Sequence, residues 1–250
     1  MSGSWDLRIA AEFFGTLILV LFGNGAVANS FLKDTTGNGE AGQSNGGWLF
    51  IALGYGFGVM IPAMMFASIS GNHINPAITI AQACAGIFPW SEVGPYIVAQ
   101  FLGAIVGQLL IFMVYWPFYQ ETTNKDLILG TCATADGAGS KLNGFLAEAV
   151  GTFALVFGAT GLYRGMFFHG NMDLANIGVG LLIATMVISL GGPTGPALNP
   201  ARDLGPRIVH ALIPLSNKGS SHWEYSWVPV LGSIVGAIIG ILLYKVFFGL

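Results

Sequence analysis

Apolar residues run through this chain in six long blocks separated by short polar stretches, with no strict alternation inside the blocks. A helix that crosses a hydrocarbon layer of ~30 Å needs about 20 mostly apolar residues. Segments of that length fall at roughly Leu7 to Phe31, Trp48 to Ser68, Val93 to Pro117, Leu142 to Leu162, Ala175 to Leu190 and Trp227 to Phe248. Tryptophans 5, 48, 90, 116, 223 and 227 stand near the ends of these blocks, where an interfacial aromatic belt is expected. The pattern predicts six membrane-spanning helices. The first block, with Arg8 ahead of it and Ala26-Val27-Ala28 near its end, imitates a signal peptide. Glu12 interrupts its apolar run, however, and the same local pattern recurs in mid-chain, so the span is read as retained.

That recurrence extends along the whole chain. Ala11-Glu12-x-x-Gly15-Thr16 returns as Ala147-Glu148-x-x-Gly151-Thr152, and Ser70-Gly71-x-x-x-Asn75-Pro76-Ala77 returns as Thr194-Gly195-x-x-x-Asn199-Pro200-Ala201. Leu102-Gly103-Ala104-Ile105-Val106-Gly107 returns as Leu231-Gly232-Ser233-Ile234-Val235-Gly236, so the three matches lie in the same order at offsets of 136, 124 and 129. Each half holds an odd number of spans, and the second half must therefore enter the membrane from the opposite face. This is an inverted repeat, with repeat 1 at about 7–118, a linker loop at 119–141 and repeat 2 at about 142–248. We read residues 1–250 as a single transmembrane domain.

Each Asn-Pro-Ala opens a short apolar stretch, Pro76 to about Gly86 and Pro200 to about Leu212. Ten helical residues rise only ~15 Å, so neither stretch crosses alone, but two entering from opposite faces meet at mid-membrane. Asparagine is a favoured N-cap and proline a favoured first helical residue, which fits Asn75-Pro76 and Asn199-Pro200 as helix starts. With its oxygen spent on capping, each asparagine is expected to point its amide hydrogens outward as donors. Two helix N-termini would add about half a positive charge each at the same place, repelling cations and protons. The residues ahead of each cap, Gly71, Asn72 and His73 in one half and Gly195 and Ala197 in the other, cannot be helical, so their carbonyls are offered to a passing water or polyol. Arg202 directly follows the second motif, and an arginine in an apolar context is costly enough to be functional. Glu12 and Glu148 are read as scaffold carboxylates that accept backbone N–H groups of the two re-entrant loops rather than as a proton relay. His73 is read as a neutral packing residue, and His169, His210 and His222 as loop or interface residues. The Gly-x-x-x-Gly series at Gly54, Gly103 and Gly232 are read as close-packing stripes.

Composition sharpens this picture. Only 8% of the 250 residues are charged and 37 are glycine, against roughly 25% charged residues and ~7% glycine in soluble domains. Mean hydropathy is +0.69. The net charge of −3 shows no run of like sign, which leaves no footprint for nucleic acid. Cys84 and Cys132 match neither a metal spacing nor a disulfide framework, and no cofactor site is expected. With the N-terminus inside, Arg8, Arg164 and Lys245 oppose Lys33, Lys125, Lys141, Lys218 and Arg207 in the outer loops, so charge does not orient the chain.

The paired Asn-Pro-Ala motifs with Arg202 resemble those of the major intrinsic protein family, the aquaporins and glycerol facilitators, and the resemblance covers nearly the whole chain. It implies an all-α membrane protein with six transmembrane helices and two re-entrant half-helices. It further implies a homotetramer with one pore per subunit in a lipid bilayer, with both termini cytoplasmic and conduction passive. The glycerol-conducting branch is similar at Tyr115, Asp203, Arg207, Pro229 and Val230. The outer selectivity filter departs from that branch: Tyr55 stands where tryptophan is usual, Val187 where glycine is usual and Pro196 where phenylalanine is usual, while Arg202 is kept. The expected function is a passive channel for glycerol and other small uncharged solutes, with water also passing. Undissociated lactic acid, dihydroxyacetone or urea compete as the preferred solute, and a mainly water-conducting pore is a further alternative. A secondary transporter would need a coupling site, for which Glu12 and Glu148 are the few carboxylates available. A membrane-embedded enzyme finds no metal cluster, nucleophile elbow or acid–base pair. The short tails fit a multi-pass protein of a prokaryotic inner membrane.

Overall fold

The structure, a computed structural model, describes residues 3–38, 47–168 and 171–249; His169 lies outside the described residues. Nine α-helices and no strand occur among them: α1 (Trp5–Phe31), α2 (Gly47–Ser70), α3 (Pro76–Cys84), α4 (Trp90–Glu121), α5 (Lys125–Gly130), α6 (Lys141–Phe168), α7 (Met172–Leu190), α8 (Pro200–Leu212) and α9 (Trp227–Phe248). Six of these, α1, α2, α4, α6, α7 and α9, are long and apolar enough to cross a membrane and correspond to the six predicted spans. Large apolar side chains such as Phe14, Leu102, Met113 and Leu181 point outward from them, as lipid-facing surfaces require. α3 and α8 are the two half-helices.

Several boundaries differ from the sequence reading; the fourth span, for one, runs on to Phe168 and the fifth starts at Met172. The third span starts earlier, at Trp90, and continues past Pro117 to Glu121. The linker, read as a loop, contains α5, capped by Asn124, whose side-chain oxygen accepts from the backbone N–H groups of Asp126 at 3.0 Å and Leu127 at 3.3 Å. Its apolar Leu127-Ile128-Leu129 is too short to register as a helical period, yet Ile128 and Leu129 are buried in a cluster with Val20, Ala28 and Phe112.

The packing repeats with the sequence. α1 lies against α2 and α4, and α6 lies in the same way against α7 and α9. The halves interlock at their short helices, since α3 of the first repeat packs on α9 of the second and α8 of the second packs on α4 of the first. In a bilayer apolar surface alone gives helices little reason to associate, so close backbone contact must supply the attraction. The glycine stripes provide it: a Cβ on Gly107 of α4 would stand 2.8 Å from the Leu17 carbonyl oxygen of α1, and one on Gly240 of α9 would stand 2.8 Å from the Phe153 carbonyl oxygen of α6. Lys245 near the end of α9 donates to the Ala85 carbonyl just beyond α3, and Arg8 near the start of α1 pairs with Glu92 at the start of α4. Both chain ends thus lie on one face.

Candidate functional site

Asn75 and Asn199 cap α3 and α8. Asn75 Oδ1 accepts from Ala77 N at 2.9 Å, and Asn199 Oδ1 accepts from Ala201 N at 3.0 Å and Arg202 N at 3.2 Å. Pro76 and Pro200 take the first helical position, where a missing N–H costs nothing. The sequence reading left both amide hydrogens of each asparagine free, and here the structure corrects it. Asn75 Nδ2 donates to the Leu198 carbonyl at 2.7 Å, and Asn199 Nδ2 donates to the Ile74 carbonyl at 2.7 Å. One hydrogen of each amide therefore ties the half-helices together across the pseudo-twofold axis, and only the other remains for a solute.

The loops leading into these caps are strained. Ile74 has φ 43° and Leu198 has φ 52°, a left-handed conformation that disfavours bulky side chains. The repeated Glu-x-x-Gly-Thr motif holds them there. Glu12 accepts from Ser70 Oγ at 2.7 Å, His73 N at 2.9 Å, Ile74 N at 2.7 Å and Gln100 Nε2 at 2.7 Å. Glu148 accepts from Thr194 Oγ1 at 2.9 Å, Ala197 N at 3.0 Å and Leu198 N at 2.8 Å. The glycine of each motif makes room for the residue ahead of the cap: a Cβ on Gly15 would stand 2.6 Å from Ile74 Cγ2, and one on Gly151 would stand 2.7 Å from Leu198 Cδ2. Both carboxylates are fully buried, and both oxygens of each accept from donors of the re-entrant loops or, for Glu12, also from Gln100 of α4. His73 is buried too, edge-on to Phe88 at 4.8 Å, with Nδ1 3.2 Å from Thr79 Oγ1.

Two chambers run along the molecule's axis. The inner one, about 300 Å³, is lined by both capping asparagines, by Gly71, Asn72, His73 and Ala197, and by apolar residues including Ile78, Leu155 and Val179. The outer one, about 460 Å³, is lined by Trp48, Thr134, Gly195 and residues of α5 and its flanks. Four residues belong to the walls of both: Tyr55, Val187, Pro196 and Arg202. They form the neck. Arg202 is buried, its guanidinium carbon 4.8 Å from the centre of the Tyr55 ring; Nη2 donates to the Tyr55 hydroxyl and Nη1 to the Cys132 carbonyl at 3.2 Å. Its Nε is buried without a protein acceptor. Val187 and Pro196 carry no donor, so the neck is polar on one wall and apolar on the other.

The sequence matches the family described as Major intrinsic protein over residues 4–244. The chain belongs to that family. Relatives of this major intrinsic protein include the glycerol uptake facilitator protein-like 5 of Lactiplantibacillus plantarum, 73% identical over all of both chains, and the glycerol facilitator-aquaporin of Lactococcus lactis subsp. lactis, 40% identical over 99% of this chain and 100% of that one. Among solved structures, the aquaglyceroporin from Plasmodium falciparum superposes with a TM-score of 0.82 at 29% identity, covering 97% of this chain and 96% of that one.

The other positions singled out by the family resemblance lie off the pore. Asp203 and Arg207 form a buried ion pair, with Arg207 Nε at 3.0 Å and Nη2 at 2.8 Å from Asp203 Oδ1. The pair pins two outer loops to α8: Asp203 accepts from Thr134 N and Oγ1 at 2.7 Å each, and Arg207 donates to the carbonyls of Thr134 at 2.7 Å and Ser221 at 2.6 Å. Arg207 is thus a buried brace, not an outer-loop charge. Tyr115 lies in a membrane-side groove with Leu21 and Phe22, and Pro229 and Val230 sit in the first turn of α9. The sequence reading missed Asn24 and Gln108, which are buried behind the neck. Polar side chains inside apolar spans face the bundle interior, and that rule would have found them.

Proposed function

We propose that this major intrinsic protein is a passive transmembrane channel for glycerol and other small uncharged solutes, passing water and excluding ions and protons. The observation that carries the reading is the neck. A solute entering between Arg202 and the apolar pair Val187 and Pro196 gives an oxygen to the guanidinium and lays its carbon face on the opposite wall. On either side of the neck, the carbonyl of Gly195 in the outer chamber, those of Gly71, Asn72, His73 and Ala197 in the inner one, and the remaining amide hydrogens of Asn75 and Asn199 continue the path as acceptors and donors. The names of the relatives support glycerol. A secondary transporter is disfavoured because Glu12 and Glu148 are consumed by loop donors and are absent from the chamber walls.

One observation favours a second solute class, small neutral molecules with fewer hydroxyls, such as undissociated lactic acid, dihydroxyacetone or urea. The Tyr55 hydroxyl faces protein partners, which leaves few donors in the neck. We further read the protein as a homotetramer in a bacterial inner membrane with both termini cytoplasmic, in keeping with the family resemblance and with the chain ends lying on one face.

Stopped-flow light scattering on proteoliposomes tests the reading. Glycerol entry is expected well above that of empty vesicles and slower by about an order of magnitude in Tyr55→Trp, because an indole would narrow the neck by more than one methylene-sized step. Water entry with glycerol no faster than in empty vesicles would overturn it.

A further inference from the structure

The neck is held by a closed ring of buried hydrogen bonds that the pore itself does not need for lining. Tyr55 donates its hydroxyl to Asn24 Oδ1 at 2.6 Å and accepts there from Arg202 Nη2. Arg202 Nη1 donates to the Cys132 carbonyl at 3.2 Å, and Asn24 Nδ2 donates to the same carbonyl at 3.1 Å, which closes the circuit. Gln108 sets the orientation of Asn24: its Oε1 accepts from Asn24 Nδ2 at 2.8 Å while its Nε2 reaches Cys132 Sγ at 3.2 Å. Asn24, Gln108 and Cys132 are fully buried and belong to neither chamber wall. The chain has made space for this arrangement, since a Cβ on Gly23 would run into the Tyr55 ring. The repeat-related positions in the second half are Thr160, Val179 and Ala237, which cannot build the same circuit, so it serves the outer neck alone.

We propose that Asn24, oriented by Gln108, is a specificity-determining positioning residue that clamps Tyr55 flat against Arg202 and takes both the phenol hydroxyl and one guanidinium N–H away from the solute. This rests on the channel reading above and deepens it. A tryptophan at position 55 has no hydroxyl to enter such a ring; the tyrosine does, and once in it withholds that hydroxyl from the solute. The neck then discriminates by width and by one or two donor contacts, not by counting hydroxyls. The class of solute it fits is small, neutral and amphipathic, with a single strong acceptor.

The test uses the full-length protein in proteoliposomes and reads the ratio of glycerol to water permeability. Tyr55→Phe removes only the hydroxyl and frees Arg202 Nη2 for the solute, while Asn24→Leu removes the acceptor at similar volume. Each is expected to raise the ratio about five-fold, the size of one hydrogen bond's net contribution. Because both variants break the Tyr55–Asn24 bond, Tyr55→Phe combined with Asn24→Leu should raise the ratio by less than the product of the two single effects. A merely structural role for Asn24 would lower both permeabilities together and leave the ratio unchanged. An unchanged ratio in Tyr55→Phe, which keeps the packing even if Asn24→Leu does not fold, overturns the proposal, as do independent effects that multiply. Absence of glycerol flux in the wild type would instead overturn the channel reading itself.

Discussion

A carboxylate buried in a membrane bundle is expensive, and its retention at Glu12 and Glu148 has a local cause. Each sits where a re-entrant loop turns with two consecutive N–H groups facing inward, His73 and Ile74 in one case and Ala197 and Leu198 in the other. A carboxylate offers acceptors only and so satisfies this cluster without presenting a donor to it. Glutamine would turn an NH₂ group toward those same donors. Charge-assisted hydrogen bonds contribute roughly 1.5–3 kcal/mol each, and the left-handed residue just ahead of each cap, Ile74 or Leu198, stores about 1–3 kcal/mol of strain that these bonds must offset. Glu148→Gln is therefore expected to lower stability by ~2–3 kcal/mol and to slow solute flux as the strand of carbonyls at 195–198 relaxes. Thermal unfolding in detergent, followed by tryptophan fluorescence, measures the first and stopped-flow entry the second. An unaltered midpoint would show that the loop holds its shape without the charge.

At the level of helices, close approach decides which pairs form. A Cβ on Gly236 of α9 would collide with the Ala149 carbonyl oxygen and stand 2.8 Å from its carbon, with no flexible side chain able to give way. Gly236→Leu should thus separate α9 from α6 and, through α9, unseat α3; the expected result is loss of the monodisperse peak in detergent size-exclusion chromatography. Gly165→Leu, at a position with open space around it, should leave that peak intact and serves as the control. Such stripes were legible in the sequence because they repeat at helical spacing, as were the six spans and the two Asn-Pro caps. α5 was not, because six residues give too little of a period. Nor were the cross-repeat bonds from Asn75 and Asn199, since a cap's free amide carries no mark of which carbonyl will meet it. The Asn24–Gln108 support was hidden for a related reason: its partners are 84 residues apart in the chain, and neither stands in a motif.

For the molecule as a whole, ion exclusion is shared between two levels, and magnitudes indicate how. Arg202 places one full charge at the neck, worth ~4 kcal/mol against a monovalent cation 4 Å away at an effective dielectric of ~20. The two half-helices add about half a charge each at their N-termini, so the centre of the pore carries a similar total that does not depend on Arg202. A cation would also have to shed water between walls that present Ile78, Leu155 and Val179 and no carboxylate, a desolvation cost of several kcal/mol. It follows that Arg202→Val should open the neck to larger neutral solutes while the centre still refuses potassium. With a potassium gradient across proteoliposomes and a potential-sensitive dye, neither the wild type nor Arg202→Val is expected to exceed empty vesicles, although urea entry through the variant rises. Potassium conductance in Arg202→Val would place the whole barrier at the neck and leave the facing half-helix termini without an electrostatic role.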